Sequence, residues 1–190
     1  MLAIVLLTSG CLWMAARRPV EPGRRIATRS FSVLPPKPEG WFLTTRAADG
    51  VWFDRPTPEG KWHTVMAFAM LDPRPLPAGG LDAVEGRSQA EALQAILQGI
   101  KIVSQSTRRV EAARHRCVES IFEVEDPRVP GADGVLRMVG VDRFCVQRDE
   151  PGARVIHLGY SQRLRPTDAT LPIDAESRAF LDSLDFERRD

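Results

Sequence analysis

Residues 61–70, Lys-Trp-His-Thr-Val-Met-Ala-Phe-Ala-Met, predict the central strand of this chain. In an extended strand, alternate side chains point to opposite faces. Met66 and Phe68 therefore share one face, and Val65 and Ala67 share the other. Because both faces are apolar, we expect this strand to lie inside a sheet and to be covered on both sides.

Further strands are expected on either side of this one. Upstream, the aromatic and β-rich runs 41–46 and 51–55 flank Asp49-Gly50, a pair typical of hairpin turns. Downstream, residues 109–125, 135–147 and 154–163 have strand character. The turn-forming residues 149–152 join the last two of these into a second hairpin.

Two helices are also expected. Ser88 and Glu91 have the spacing of a capping box, which marks a helix start. This first helix is predicted from apolar residues at helical spacing: Leu93, Ile96, Leu97, Ile100 and Val103. A second, shorter helix begins at Asp174 and carries apolar residues near its end. The element order predicts an α+β domain, a mostly antiparallel sheet with helices packed on it.

The first eleven residues, Met-Leu-Ala-Ile-Val-Leu-Leu-Thr-Ser-Gly-Cys, resemble the export signal of bacterial lipoproteins. An apolar core is followed by small residues, as a cleavage site requires. The resemblance implies that residues 1–10 are a signal peptide and that Cys11 is lipidated. Leu12 follows in place of the Asp that retains sorted lipoproteins, which favours the outer membrane over the inner. An uncleaved anchor or an ordinary secretory signal is the alternative.

Residues 11–29 are expected to form a flexible basic tether behind this anchor. They contain Pro19, Pro22, Gly23 and five arginines, without periodicity. Residues 30–190 are then a single domain. The net charge of the 190-residue chain is +1, which provides no large field to attract nucleic acid.

Two cysteines remain in the domain. In an exported chain Cys117 and Cys145 are expected to form a disulfide. His115 shares a strand face with Cys117, and a hairpin closing symmetrically on Pro151 would place Cys145 near His157. A tetrahedral metal site of these four residues is the alternative.

Motifs of catalysis are missing from the sequence. It has no G-x-S-x-G, P-loop, H-E-x-x-H or G-x-G-x-x-G pattern, so we expect neither an enzyme nor a cofactor.

Two further hypotheses concern binding surfaces. Three tryptophans would line an apolar groove, and four arginines would form an anion patch, although packing in the core and a solvated sheet face are the commoner roles of such residues. These residues are Trp41, Trp52 and Trp62, and Arg114, Arg116, Arg163 and Arg165.

Several short runs resemble a group of small bacterial envelope lipoproteins with the PsbP-like fold, including the DcrB type. They are Arg116-Cys117, 144–146, 159–163 and 180–184. The resemblance implies an antiparallel sheet sandwiched by helices and a role in binding or assembly. We therefore expect a periplasm-facing, lipid-anchored protein that binds an envelope protein partner in an assembly, accessory or immunity role. A small-ligand or metal-binding lipoprotein is the alternative.

Overall fold

The computed structural model describes residues 17–37, 39–58, 63–86, 96, 98–112, 114–127, 134–148, 151–172 and 174–186. Within these residues the chain forms eleven strands and two helical segments. In chain order they are β1 (Arg18–Pro19), β2 (Ile26–Ala27), β3 (Phe31–Val33), β4 (Phe42–Ala47), β5 (Gly50–Pro56), β6 (Thr64–Leu71), α1 (80–86), β7 (Lys101–Ala112), β8 (His115–Asp126), β9 (Leu136–Val146), β10 (Val155–Leu164), α2 (Asp174–Leu181) and β11 (Asp185–Phe186).

Eight of the strands form one antiparallel sheet, in the order β1-β4-β5-β6-β10-β9-β8-β7. Two meanders, β4–β6 and β7–β10, meet where β10 pairs with β6. The hairpins predicted at Asp49-Gly50 and between β9 and β10 are both confirmed. A second sheet of three short strands has the order β11-β3-β2.

Strand β6 is central, as its sequence predicts, but only one of its faces is fully buried. Val65, Ala67 and Ala69 have at most 1% of their surface exposed. On the other face Met66 is 43% exposed, and Phe68 is half-buried. The expectation that this strand is covered on both sides is therefore wrong for its second face.

Apolar side chains form two clusters, one on each face of the large sheet. The first fills the space between that sheet, β3 and α2, and it includes Phe31, Phe53 and Tyr160. The second lies where the 76–84 segment covers Phe144 and Val146. Because neighbouring residues of a strand point to opposite faces, Cys145 belongs to the first cluster while Phe144 and Val146 belong to the second.

The predicted α+β class is wrong. Of the residues that the structure describes, 51% are in strands and 11% in helices, in two short helices, so this part of the chain is a large antiparallel sheet with few helices. The predicted first helix was extended too far at its C-terminal end, and residues 88–95 and 97 of it lie outside the described part of the chain. Gly99 has φ +88°, a left-handed conformation that ends helices, and its N–H bonds to the carbonyl of Ile96. Val103 consequently lies in β7, and α1 begins before Ser88, which lies outside the described residues.

The segment 17–29 is packed against the domain, so the predicted flexible tether of residues 11–29 is wrong for residues 17–29, while residues 11–16 lie outside the described part of the chain. Arg18 and Pro19 pair with β4, and Ile26 and Ala27 pair with β3. Val20 packs against the first apolar cluster. Strands of two residues are too short to leave a periodic pattern in the sequence, so composition alone suggested a linker. No helix in the described part of the chain is long and apolar enough to span a membrane.

Candidate binding groove

Cys117 and Cys145 form the predicted disulfide. They are direct partners in the β8–β9 register, with Cα atoms 4.1 Å apart, and both are buried. The bond therefore ties together two adjacent strands in the middle of the first apolar cluster. Its position makes it part of the core.

The alternative four-residue metal site is not formed. The possible ligand atoms of His115, Cys117 and Cys145 lie within 4.8 Å of one another. His157, however, is paired with Phe144 rather than with Cys145, so it points to the opposite face of the sheet. There its ring stacks on Phe144 with centroids 4.1 Å apart. The disulfide also occupies both sulfur atoms, which zinc would bind as thiolates.

The proposed tryptophan groove is not assembled among the residues that the structure describes. Trp41 is 3% exposed, packs in the first apolar cluster and donates a hydrogen bond to Glu176 Oε1 at 2.7 Å. Trp52 lies between Val51 and Phe53, which belong to that cluster, so it points to the other face. Trp62 lies outside the described residues.

The proposed arginine patch is not assembled either. Arg114 pairs with Asp185 and Arg116 pairs with Glu111. Arg116 is in register with Val146, which is in register with Val155. Arg163 is eight residues further along β10, on the order of 26 Å at the usual strand rise.

A groove of about 360 Å³ lies between α2 and the outer strands β7, β8 and β9. Its floor is apolar, and charged side chains stand at its margins, among them Arg108, Asp174 and Arg178. Ile121, on the floor, is 43% exposed although it is a large aliphatic residue. The apolar lining consists of Ile121, Val139, Val141, Leu171, Pro172 and Leu181.

Arg108 and Glu119 form a charged wall of the groove, and Glu119 also belongs to a buried ion pair with Arg143 behind it. Glu119 and Arg143 are direct partners in the β8–β9 register, and their side chains are 3% and 4% exposed. Arg143 Nη2 and Nε donate to Glu119 Oε2 at 2.5 and 2.9 Å. Arg108 Nε, on β7, donates to Glu119 Oε1 at 2.7 Å. Three adjacent strands thus form a charge ladder on the face that otherwise holds the apolar core.

The same pair helps to position α2. Arg143 Nη1 donates to Asp182 Oδ1, just beyond the helix, at 2.6 Å. At the start of the helix, Arg55 donates from both guanidinium ends to the two oxygens of Glu176, at 3.0 and 3.1 Å. Two arginines from the large sheet therefore hold the two ends of α2, so the width of the groove is fixed by charge-assisted hydrogen bonds.

Burial and neighbouring charges perturb two titratable groups of this core. Burial raises the pKa of Tyr160 far above its usual value, and the nearby carboxylate of Glu176 acts in the same direction. Burial lowers the pKa of His115, helped by the positive charge of Arg143 and opposed by Asp182 and Asp185. Both groups are therefore uncharged at neutral pH, as suits an apolar interior.

Sequence reasoning missed the groove and its charged wall. Glu119 and Arg143 are charged residues beside one polar and one apolar neighbour each, and such residues in a strand are typical of a solvated sheet face. The sequence did contain one indication that Glu119 and Arg143 pair, namely their equal spacing from the two cysteines. Glu119 follows Cys117 by two residues, and Arg143 precedes Cys145 by two. Cys11, the predicted lipidation site, lies outside the described residues.

Comparison with known proteins gives no family. No protein-family model and no curated protein matches the chain. A solved structure from Bacteroides thetaiotaomicron VPI-5482 is similar over 83% of this chain, with a TM-score of 0.39 and 12% sequence identity. The matched region spans 45% of that protein. A likeness of this degree supports no conclusion about fold or function, and the resemblance to the PsbP-like group stays a prediction.

Proposed function

We propose that this protein is a non-enzymatic lipoprotein of the bacterial cell envelope that binds a protein partner in the groove beside α2. The supporting observation is the groove itself, an apolar floor with exposed Ile121 and a charged margin. Protein interfaces combine an apolar centre with a polar rim in this way. The lipid on Cys11 would hold the domain at the periplasmic face of the outer membrane.

A site-specific crosslinking experiment tests the partner. A photoreactive amino acid replaces Ile121 in the full chain, expressed in the bacterium that encodes it. The matched control is Val103, which is 45% exposed on β7 and does not line the groove. We expect a discrete crosslinked protein from position 121, not from position 103. The adduct should be lost when the charge at the margin is reversed by Arg178→Glu. Equal adducts from both positions, or none from position 121, would refute partner binding in the groove.

A small amphipathic ligand is the second candidate for the same groove. Its volume of about 360 Å³ lies at the lower end of the range of small-molecule sites, roughly 300–1,000 Å³. Native mass spectrometry of protein purified from bacterial membranes separates the two candidates. A ligand would appear as a fixed mass increment that is lost on denaturation and reduced in an Ile121→Arg variant.

The anchor is tested separately by the intact mass of the same purified protein. We expect a chain that begins at Cys11 and carries lipid, with Cys117 and Cys145 blocked to alkylation until they are reduced. An unprocessed chain with free thiols would argue against both the export signal and the periplasmic location.

A further inference from the structure

Four arginines follow one edge of the large sheet, and we call them the arginine edge: Arg17, Arg18, Arg29 and Arg46. All four are exposed. Arg18 pairs with Leu43 of β4, and Arg46 lies three residues further along that strand, about 10 Å at the usual rise. The backbone N–H of Arg29 bonds to the carbonyl of Ala48, immediately beyond β4. Arg29 and Arg46 also line the same shallow depression.

The predicted lipid would be attached close to this edge. Six residue steps separate Cys11 from Arg17, so the two cannot be more than roughly 20 Å apart even in a fully extended chain. Because β1 is antiparallel to β4, Arg17 lies on the side of Arg18 that is nearer to Arg46. The packing of residues 17–29 thus replaces a long tether with a short one, which limits how far the domain can move from the lipid.

The charge of the protein is concentrated in this region. Residues 17–29 contain five arginines and one glutamate, a net charge of +4, while the whole chain has +1, so the remainder carries 1 − 4 = −3. Two acidic residues lie beside the edge. Asp54 pairs with Arg17 at 2.8 Å, and Asp49 is exposed in the β4–β5 turn. They offset two of the four charges on the edge and leave it net positive.

We propose that the arginine edge docks the domain on the anionic phospholipid headgroups of the membrane that holds its lipid. This inference rests on the proposed lipidation of Cys11. The short tether brings the edge within reach of the surface, and the positive charge matches it. Basic segments beside an anionic membrane are attracted to it over about a Debye length. Docking by this edge would leave β7, at the opposite edge of the sheet, and the groove beside it directed away from the membrane.

Fluorescent labels on lipidated full-length protein test this orientation. The mass of the protein is checked first, and the protein is then reconstituted into vesicles of phosphatidylcholine or of an equimolar mixture with phosphatidylglycerol. With Cys11 lipidated and Cys117 bound to Cys145, an introduced cysteine is the free thiol. A polarity-sensitive dye is attached through Ala48→Cys, beside the arginine edge, or through Ser106→Cys on β7. We expect a blue shift from position 48 in the anionic vesicles and no shift from position 106.

Charge variants identify the cause of the shift. Arg18→Gln, Arg29→Gln and Arg46→Gln together should abolish it, and so should about 1 M salt, where the Debye length falls to about 3 Å. Arg17 is kept because it pairs with Asp54.

The matched control removes the same charge elsewhere, by Arg109→Gln, Arg114→Gln and Arg116→Gln, and should leave the shift unchanged. Docking is overturned if vesicle-bound protein shows no shift at position 48, an equal shift in both vesicles, or equal loss in both triple variants. A mass without lipid instead refutes the anchor, and the docking that depends on it falls as well.

Discussion

Breaking the buried pair of Glu119 and Arg143 should destabilise the protein far more than breaking an exposed pair. Removing one partner of a buried ion pair costs about 3–5 kcal/mol, because the other charge stays buried without compensation. Among the described residues, Glu119 would keep Arg108 alone after Arg143→Met, and the side chain of Arg108 is 56% exposed. After Glu119→Leu, the one described ion-pair partner left to Arg143 would be Asp182, which is 65% exposed. Each remaining partner is well solvated, so we expect either substitution to cost about 3 kcal/mol or more.

Urea unfolding of the oxidised protein measures this cost. With a slope of about 2 kcal/mol per molar urea, a loss of about 3 kcal/mol lowers the midpoint by about 1.5 M. The double variant should lose clearly less than the sum of the two single variants, since it leaves no buried charge without its partner. Lys101→Met is the control. It breaks the exposed pair of Lys101 with Glu125 in the neighbouring β7–β8 hairpin and should cost under about 1 kcal/mol. The reasoning would be refuted if either single variant lost as little stability as Lys101→Met, or if the loss in the double variant equalled the sum of the two single losses.

Three further predictions concern the core. Replacing Cys117 and Cys145 together by alanine should cost about 3–4 kcal/mol in the chain-entropy model, since 28 residues separate them. Unfolding with and without reductant measures this cost. Equal unfolding midpoints for the original protein and the double variant without reductant would contradict it. Because the pKa of His115 is lowered in the folded state, its contribution to stability is complete above pH 6.5 and is lost as the pH falls below that value. His115→Leu should flatten the pH dependence in that window, and an unchanged slope would exclude His115 as its source. Gly159→Ala should lower the free energy of unfolding by about 1–3 kcal/mol, since a Cβ there would lie 2.2 Å from the ring of Phe68. The control is Gly86→Ala. The added Cβ meets nothing within 4 Å and should not destabilise the protein.

Strand positions and hairpins could be predicted from alternation and turn residues, but register could not. The β9–β10 hairpin pairs Cys145 with Ile156, whereas closure on Pro151 would have paired Cys145 with His157. The difference is one residue. Since side chains alternate with a period of two, a one-residue shift moves His157 to the other face of the sheet. This one-residue difference is why His157 does not join the predicted metal site.

The predicted first helix was extended too far, past Gly99 into β7, because helical and extended patterns overlap over short stretches. Ile96, Ile100 and Val103 have helical spacing, yet Ile102, Val103 and the alternation that follows also suit a strand. Gly99 decides between them, because its left-handed conformation ends the helix before β7 begins. Gly99 therefore indicates the end of the helix better than the apolar spacing around it does.

The buried ion pair of Glu119 and Arg143, in contrast, follows from the disulfide once β8 and β9 are assumed to be adjacent strands. In an antiparallel pair of strands the sum of the residue numbers of direct partners is constant, so Cys117 opposite Cys145 places Glu119 opposite Arg143. Residues two positions apart share a face, and the disulfide lies on the buried face. A disulfide between two strands thus fixes the register of both and predicts which charges must meet beneath the surface. The same argument ties the groove to the disulfide: the bond that holds β8 to β9 also holds the ion pair that positions α2.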